Sequence, residues 1–341
     1  MSIADELQAT ITDMVQPGKG ILAADESLPT IAKRFKPIGV ESTEENRRAY
    51  RALLCTAPGI EDHICGVITF EETLGQRADD GTPLPQVLAD RGIVPGIKVD
   101  KGKGPLALSP GDLITYGLDG LAERLTGYKA QGARFAKWRE VYEISAHNPS
   151  PLGIEANAEM LARYAAVCQE QGVVPIVEPE VLMDGDHSIG RCAEVTEAVH
   201  KAVFAALYRH HVVLEHMILK PNMVHPGKAH ATKASAEQIA AATVKVFRRT
   251  VPAAVPSINF LSGGMGPEEA TLNLNAMNAE FPDAPWLLSF SYGRALQQPV
   301  LAAWQGQAGK VGAAQAALSK RARLNGAAQR GDYRPDMESD S

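Results

Sequence analysis

The sequence predicts a single (β/α)8 barrel, which is a closed parallel sheet of eight strands surrounded by helices. Eight short apolar segments, most of them rich in Val and Ile, recur along the 341 residues. Their ends lie roughly 30 to 45 residues apart, as expected when a helix follows each strand. No Gly/Ser-rich linker or sequence repeat divides the chain. We therefore expect one barrel domain over residues 1–333 and a short disordered tail over 334–341, with a doubly wound open sheet as the alternative fold.

The eight predicted strands follow one another in a regular order. They are GILAAD (20–25), ICGVITF (64–70), VPGIKV (94–99), ARFAKWR (133–139), VVPIVEP (173–179), MILKPN (217–222), SINFLSGG (257–264) and WLLSFSYG (286–293).

Helical patterns occupy the first residues and the stretches between the predicted strands. Near the N-terminus Leu7, Ile11, Met14 and Val15 share one stripe of a helix. Residues 157–172, 192–210 and 235–250 also have helical patterns, and Ser235 is a plausible N-cap for the last of them. This alternation of helices with strands is what a (β/α)8 barrel requires.

Composition restricts the partners and the compartment. With 34 basic and 40 acidic side chains the net charge is −6, so a nucleic acid or an anionic membrane is not an expected partner. No run of about 18 apolar residues predicts a membrane span. The first residues lack the features of a signal or transit peptide. The four cysteines show no Cys-x-x-Cys spacing, which favours reduced thiols and a cytoplasmic protein.

Polar side chains cluster where the predicted strands end. The carboxyl ends of the strands form the active-site face of such barrels. Surface charges alone are a weak explanation, because seven segments show the same feature. The residues are Asp25, Lys98, Asp100, Lys137, Arg139, Glu178, Glu180, Lys220, Asn222, Ser262 and Arg294.

Lys220 is the unusual residue in this set, since it ends the apolar run Met217–Leu219 and precedes a proline. A lysine attacks a carbonyl group only as the free amine, which burial and a neighbouring cation favour. Lys220 lies at the end of a predicted buried strand, two strands from Lys137, so it could have both the burial and the neighbouring cation. The alternative is a solvated lysine at the strand end, and spacing alone does not decide between the two interpretations.

The predicted strand between these lysines carries two carboxylates, Glu178 and Glu180. Residues two apart on a strand share a face, so the two carboxylates would lie side by side. Such a pair is suited to proton transfer near neutral pH. The alternative is that they only neutralise Lys137, Arg139 and Lys220. Asp25 adds a third carboxylate to the same rim.

Two loops have the features of an anion site. LSGGMG follows the seventh strand and SYGR the eighth, and this fold often binds phosphate there. Arg294 adds a bidentate donor. The cations Lys33, Arg34 and Lys98 could hold a second phosphate across the mouth, and Arg139 is a further candidate substrate ligand.

Metal and nucleotide binding have little support. Five histidines cluster in sequence without His-Glu-x-x-His spacing, so surface or structural roles are favoured over a metal site; they are His210, His211, His216, His225 and His230. The sequence contains no P-loop and no Gly-x-Gly-x-x-Gly motif.

The motifs together closely resemble those of the class I fructose-bisphosphate aldolase family. The match runs in order from about residue 5 to 333. It comprises GKGILAADES, IKVDKG, FAKWR, VPIVEPEVLMDGDH, LKPNMV, FLSGG and SFSYGRALQ.

This resemblance implies a role for each candidate residue. Lys220 corresponds to the Schiff-base lysine and Glu178 to the general acid/base, with Lys137, Asp25 and Glu180 as supporting groups. One substrate phosphate would bind Ser262, Gly263, Gly264, Ser291, Gly293 and Arg294. The other end of the substrate, with its hydroxyls, would contact Ser27, Lys33, Arg34 and Lys98.

The implied reaction is the reversible cleavage of fructose 1,6-bisphosphate into dihydroxyacetone phosphate and glyceraldehyde 3-phosphate, in glycolysis and gluconeogenesis. It needs no metal ion or other cofactor, and the implied assembly is a homotetramer. The alternatives are a metal-dependent phosphosugar aldolase and a barrel that binds sugar phosphates without catalysis.

The sequence also departs from the family pattern. It has no terminal tyrosine, since Tyr333 is followed by eight residues, and this puts the enamine-protonating tail of the family in doubt. Pro29 and Thr30 stand where the pattern usually has glycine and serine, so a phosphate contact there would depend on the threonine hydroxyl.

Overall fold

Eight parallel strands close into a barrel in the computed structural model, which describes residues 2–339. The predicted (β/α)8 fold is confirmed, and each predicted segment overlaps one barrel strand, although β6 and β7 extend three and two residues beyond the segments 133–139 and 173–179. Around the barrel the order is β1-β10-β9-β8-β7-β6-β3-β2. The barrel strands are β1 (Gly20–Ala24), β2 (Ile64–Thr69), β3 (Val94–Lys98), β6 (Phe135–Tyr142), β7 (Val174–Val181), β8 (Ile218–Leu219), β9 (Ser257–Phe260) and β10 (Leu287–Tyr292). The remaining two, β4 (Lys103–Pro105) and β5 (Leu113–Thr115), form a separate antiparallel hairpin.

Helices connect the strands and cover the outside of the barrel. They are α1 (Ile3–Met14), α2 (Leu28–Phe35), α3 (Glu44–Cys55), α4 (Glu71–Leu74), α5 (Leu84–Ala89), α6 (Leu121–Ala130), α7 (Pro151–Glu170), α8 (Ile189–Arg209), α9 (Ala236–Thr250), α10 (Pro267–Glu280), α11 (Arg294–Trp304) and α12 (Val311–Gln329). Within residues 2–339, no helix is long and apolar enough to cross a membrane.

Serine caps set the starts of α7, α8 and α9. Ser235 caps α9 and forms a capping box with Gln238, as the sequence predicts. Helices α7 and α8 begin earlier than their apolar patterns do, because Ser150 and Ser188 each accept a hydrogen bond from the third residue of the helix.

The apolar interior of the barrel is closed at one end by α1. Leu7, Ile11 and Met14 of the predicted stripe are buried against residues inside the barrel. Phe135 fills the interior beside Gly96, where a Cβ would lie only 2.2 Å from the ring. This plug seals the amino ends of the strands and leaves only the carboxyl ends open.

Two local features differ from the expectation. The β4–β5 hairpin was not predicted, and it is fixed to β6 by a 2.9 Å hydrogen bond from Thr115 Oγ1 to the carbonyl of Arg139. In the stretch expected to be a disordered tail, Pro335–Glu338 form a 3-10 helix, and the Glu338 carboxylate contacts Arg321 Nη1 at 2.5 and 2.6 Å. This pairing of an almost buried arginine gives the segment a defined position. Residues 340 and 341 of the expected tail lie outside the described residues.

Candidate active site

The inward-facing side chains change from apolar to charged along the barrel. On β6, Phe135 lies in the apolar plug, and Lys137 and Arg139 follow on the same face. On β7, Ile176 is followed by Glu178. The charged ends surround a cavity of about 670 Å³ at the carboxyl end of the barrel.

Lys220 lies directly after β8 and is 3% exposed. Its N–H continues the parallel ladder by donating to the carbonyl of Val177 at 2.8 Å. Asn222 Oδ1 accepts a 2.9 Å hydrogen bond from the N–H of Val181, which holds the chain that follows against β7. The side chain of Lys220 therefore lies in the cavity and not in bulk solvent.

Three further charged groups connect Lys220 to a network. Glu178 Oε1 lies 3.4 Å from Lys220 Nζ, and Glu178 Oε2 lies 3.1 Å from Lys137 Nζ. Lys137 Nζ also lies 2.9 Å from Asp25 Oδ2. Two lysines thus alternate with two carboxylates, and all four side chains are nearly buried.

The charges fix the protonation states of two members of this network. Burial alone would lower the pKa of Lys137, but Asp25 and Glu178 outweigh it and raise that pKa well above its usual value. Burial alone would raise the pKa of Asp25, but Lys137 and Lys220 outweigh it and hold that pKa well below its usual value. Lys137 is therefore a permanent cation and Asp25 a permanent anion at neutral pH.

Glu180 forms a separate pair with Arg139, through both Nε and Nη2 of the guanidinium. Burial would lower the pKa of Arg139, but Glu180 and Glu178 raise it instead. Although Glu178 and Glu180 both line the cavity, Glu178 contacts the two lysines and Glu180 contacts Arg139. The arrangement separates the carboxylate beside the lysines from the carboxylate beside the arginine.

One wall of the cavity is rich in donors for an anion. It is formed by Ser262, Gly263 and Gly264 after β9, and by Ser291, Gly293 and Arg294 at the end of β10 and the start of α11. The N-terminus of α11 has no side-chain cap, so its free N–H groups and its dipole favour negative charge at this wall.

The adjoining wall carries Ser27, Thr30 and Arg34 of the α2 region, which follows β1, the neighbour of β10 in the barrel. The hydroxyls of Ser27 and Thr30 are 3.0 Å apart, and Arg34 Nε is buried without a partner among the described residues. Lys98 also lines the cavity and contacts Asp100 Oδ1 at 2.6 Å.

Lys33 is the exception among the predicted site residues, because it is exposed and does not line the cavity. Successive helical residues point about 100° apart, so the neighbouring Arg34 reaches the cavity and Lys33 does not. The structure therefore does not bring Lys33 together with the other predicted site residues, and its contact with substrate stays a prediction. The other fifteen predicted residues all line the cavity.

Several cavity residues were not singled out from the sequence. Asp184, Lys228, Lys101, Lys103 and Thr115 also line the cavity. The signal that could have found them is their position in segments that follow barrel strands, since these segments form the site in such folds. With them, nine cationic side chains and seven carboxylates line a cavity in a chain of net charge −6, which favours an anionic ligand.

The histidines make separate, local contacts. His210 Nε2 lies 2.6 Å from Glu159 Oε1, and His225 Nε2 lies 3.2 Å from Glu269 Oε1. Residues 2–339 contain no group of three or more His, Cys, Asp or Glu side chains placed to hold a metal ion.

The chain is similar to known aldolases over nearly its whole length. The family model described as "Glycolytic: Fructose-bisphosphate aldolase class-I" matches residues 6–341. A probable class 1 fructose-bisphosphate aldolase of Xanthomonas campestris is 54% identical over 335 residues, which are 98% of this chain and 100% of that protein. Human fructose-bisphosphate aldolase C is 56% identical over 329 residues, 96% of this chain and 90% of that protein.

A solved structure agrees with the sequence relatives. Fructose-bisphosphate aldolase of Plasmodium falciparum, crystallised with TRAP and a small-molecule inhibitor, has a TM-score of 0.96 and 49% identity. The match covers 97% of this chain and 96% of that chain. Together with the lysine–carboxylate network at the barrel mouth, these similarities show that the chain belongs to the class I fructose-bisphosphate aldolase family.

Proposed function

We propose that Lys220 forms the Schiff base through which this enzyme cleaves fructose 1,6-bisphosphate. The contact between the nearly buried Lys220 and Glu178, inside a cavity with donors on two walls, is the observation that carries the proposal. A buried amine beside a carboxylate can lose its proton to that carboxylate and attack a carbonyl carbon. Lys220 Nζ is the amine in this cavity that contacts Glu178 without also contacting Asp25.

In the first half of the reaction, the lone pair of Lys220 Nζ attacks the C2 carbonyl carbon of the substrate. Glu178 takes a proton from the lysine and returns one to the C2 hydroxyl, which leaves as water and gives an iminium. Glu178 suits this role because it contacts Lys220 directly. The adjacent Lys137 cation is held by Asp25 and Glu178 and does not take part as a nucleophile.

In the second half, a carboxylate removes the proton from the C4 hydroxyl. The C3–C4 bond breaks, its electrons move into the iminium to form an enamine, and glyceraldehyde 3-phosphate leaves. Protonation of C3 and attack of water on C2 then release dihydroxyacetone phosphate and the free amine. We assign the proton transfers to Glu178. Asp25 would hold Lys137 in position, and Glu180 would hold Arg139 in position.

The two phosphates would occupy the two donor-rich walls. The phosphate on C1 would bind the loops of Ser262–Gly264 and Ser291–Arg294. The remainder of the substrate would extend toward Ser27, Arg34, Lys98 and Arg139. Because both walls present donors, we propose that the bisphosphate is preferred over a ketose without phosphate.

Reductive trapping tests this proposal. Borohydride donates hydride to the iminium carbon and converts the adduct into a stable secondary amine. Incubation with dihydroxyacetone phosphate and borohydride should add one ligand to the peptide that contains Lys220, as read by mass spectrometry. Lys220→Ala should abolish both the adduct and cleavage. An unmodified Lys220 peptide, with cleavage activity retained in Lys220→Ala, would contradict the proposed role.

We further propose that residues 1–333 act as one catalytic domain, and that the enzyme is a cytoplasmic homotetramer. The supporting facts are the family resemblance, the spinach relative described as a cytoplasmic isozyme, which is 55% identical, and four cysteines that are all free and buried. Multi-angle light scattering on the purified chain measures the assembly, and a mass of one or two chains would contradict the tetramer. Cell fractionation with detection of the chain tests the compartment.

A further inference from the structure

The loop of Ser262, Gly263 and Gly264 has the geometry of an anion cradle. The N–H groups of these three residues donate no hydrogen bond to any other residue between 2 and 339. Gly263 and Gly264 both have a positive φ, of 55° and 99°, which turns successive N–H groups toward one side. On the same wall, at the end of the neighbouring strand β10, Ser291 Oγ is buried and has no partner among the described residues. Four donors therefore face one space.

Lys228 reaches the same space from the loop that follows β8. A Cβ at position 264 would lie 2.8 Å from Lys228 Nζ and 3.4 Å from Arg294 Nη1. Both cations therefore lie close to the open side of Gly264, and a larger residue at this position would displace them. Lys228 is not part of the resemblance motifs, and no role for it follows from the reaction described above.

The backbone of Lys228 is held firmly, and its side chain is not. The N–H of Lys228 donates to the carbonyl of Met183 at 2.8 Å, and its own carbonyl accepts from Lys233 Nζ at 2.8 Å. Its ammonium contacts Asp184 Oδ1 at 3.2 Å, and the two side chains are 44% and 72% exposed. Such an exposed ion pair contributes little to stability, so its ammonium can exchange partners at little cost.

The two cations are incompletely neutralised. Arg294 forms no ion pair with a carboxylate of residues 2–339. Burial and the nearby Arg34 lower the pKa of Arg294, although Asp184 and Glu180 oppose this. A dianionic phosphate over Gly264 would give both cations a stronger partner than one exposed carboxylate provides.

We propose that Lys228 leaves Asp184 on ligand binding and contacts the substrate phosphate beside Arg294, and so determines the preference for phosphorylated ketones. The phosphate concerned is the one nearest the reacting ketone, on C1. This inference rests on the proposed function, because the phosphate is placed over Gly264 by the attachment of C2 to Lys220.

The test is the concentration of dihydroxyacetone phosphate that half-saturates borohydride trapping at Lys220. In Lys228→Gln this concentration should rise about three- to ten-fold, as expected for the loss of one partly exposed charge contact. Lys228→Arg should restore it toward the wild-type value. Thermal melting of both variants shows whether they are folded.

Lys101→Gln is the matched control. Lys101 also lines the cavity, is also 44% exposed and is also paired with a carboxylate, Glu71, but it does not approach Gly264. Its substitution removes the same charge and should raise the half-saturating concentration of dihydroxyacetone phosphate by much less than Lys228→Gln does, by about two-fold at most. An equal increase in Lys101→Gln would overturn the specific contact and leave only a general charge effect.

Trapping with dihydroxyacetone, which has no phosphate, separates phosphate recognition from structural damage. Lys228→Gln should not alter its half-saturating concentration. An equal weakening for both ketones, or no change for either, would overturn the role of Lys228 and leave the Schiff base intact. Absence of any wild-type adduct with either ketone would instead contradict the proposed function.

Asp184→Asn gives a second, independent readout. Since Asp184 competes with the phosphate for Lys228, its neutralisation should lower the half-saturating concentration of dihydroxyacetone phosphate by about two- to five-fold. The effect should disappear in the double variant Asp184→Asn/Lys228→Gln, because the competition needs both side chains. A full Asp184→Asn effect in the absence of Lys228 would show that the carboxylate acts on the phosphate directly and would overturn the proposed exchange.

Discussion

Lys220 and Lys137 contact opposite oxygens of one carboxylate, that of Glu178, at 3.4 and 3.1 Å. The two lysines differ in their second neighbour, since Lys137 also contacts Asp25 at 2.9 Å. Lys137 is thereby held as a cation, whereas Lys220 depends on Glu178 alone for a close anionic partner. This asymmetry between two buried lysines is what the proposed mechanism uses, with Lys137 as electrostatic support and Lys220 as the nucleophile.

Glu178→Gln is expected to slow adduct formation without removing Lys220. Glutamine has the same shape as glutamate but cannot accept and return a proton, and general acid–base catalysis typically contributes 10²–10⁴-fold. We expect the single-turnover rate of trapping to fall by about 10²-fold or more, with the final amount of adduct retained. Rapid mixing of enzyme with dihydroxyacetone phosphate, followed by borohydride after increasing intervals, measures that rate.

Glu71→Gln is the control for this rate measurement. Glu71 also lines the cavity but pairs with Lys101 and is half exposed. Its substitution should change the trapping rate by no more than about two-fold. If Glu178→Gln trapped as fast as the wild type, the proton would have to travel by another group, and the assignment of Glu178 would be wrong.

Lys137→Met is expected to destabilise the fold, most strongly at neutral pH. The change leaves Asp25 buried without its closest cation, and a buried charge that loses its partner typically costs about 3–5 kcal/mol. Lys101→Met removes an exposed partner of Glu71 and should cost less than about 1 kcal/mol. Urea unfolding of both variants at neutral pH measures the difference.

The acid dependence of stability provides a check on the charge of Asp25. Its pKa in the folded wild type lies below the unfolded value of 3.8, so ionised Asp25 stabilises the fold at neutral pH. That contribution is lost as the pH falls from about 4 through the folded pKa. In Lys137→Met the folded pKa of Asp25 rises toward the unfolded value, so the acid-induced loss of stability should be smaller than in the wild type, and the difference in stability between the two should narrow as the pH falls. Parallel acid-unfolding curves for wild type and variant would contradict the Lys137–Asp25 coupling.

The barrel and most of its site were predictable because both depend on local patterns. Short apolar segments of regular spacing place the strands, and residues at their ends lie on one rim in any parallel barrel. Lys220, Glu178 and Asp25 meet for that reason, although the chain separates them by up to 195 positions. Their shared position at the ends of barrel strands brings them to the same cavity, whatever their separation along the chain.

The remaining features depend on tertiary contacts that local patterns do not contain. The β4–β5 hairpin lies in a Gly- and Pro-rich stretch with little strand propensity, and it is held by Thr115 against Arg139. Lys228 is placed by its N–H bond to Met183, across two loops. The position of Lys33 outside the cavity was not predictable, because two adjacent basic residues in sequence do not reveal the face of the helix on which each one lies.

Removal of residues 334–341 is expected to lower stability and leave catalysis unchanged. The truncation deprives Arg321, whose side chain is 5% exposed, of the Glu338 carboxylate, which should cost about 3 kcal/mol. None of residues 334–339 lines the cavity, and Tyr333 is tied to Glu338 by a 3.0 Å hydrogen bond. Proton exchange at C3 of dihydroxyacetone phosphate, which reports protonation of the enamine, should therefore continue at the wild-type rate.

Glu338→Gln is the matched variant for the truncation. It keeps the chain and removes only the charge that faces Arg321, so it should reproduce most of the lost stability. A truncated chain of unchanged stability whose C3 exchange was ten-fold slower would show that the tail acts in catalysis, contrary to this prediction.

Glu140 is a buried carboxyl group whose environment makes stability depend on pH near neutrality. It is 1% exposed and accepts hydrogen bonds from Trp138 Nε1 at 2.8 Å and from the N–H of Thr115 at 3.2 Å. Burial outweighs these donors and raises the pKa of Glu140 to about 8. The group therefore links the β4–β5 hairpin to β6 and is protonated at neutral pH.

Glu140→Gln is expected to remove part of the pH dependence of unfolding. Between the unfolded value of 4.5 and the folded value of about 8, the native chain holds a proton at Glu140 that the unfolded chain releases. The wild type therefore loses stability as the pH rises through this range, while the neutral glutamine does not. The free energy of unfolding of Glu140→Gln relative to wild type should increase from pH 5 to pH 8 and then stay constant up to pH 9. Urea titrations at half-unit pH intervals measure this difference, and a constant difference from pH 5 to pH 9 would show that Glu140 is already ionised in the folded chain at pH 5.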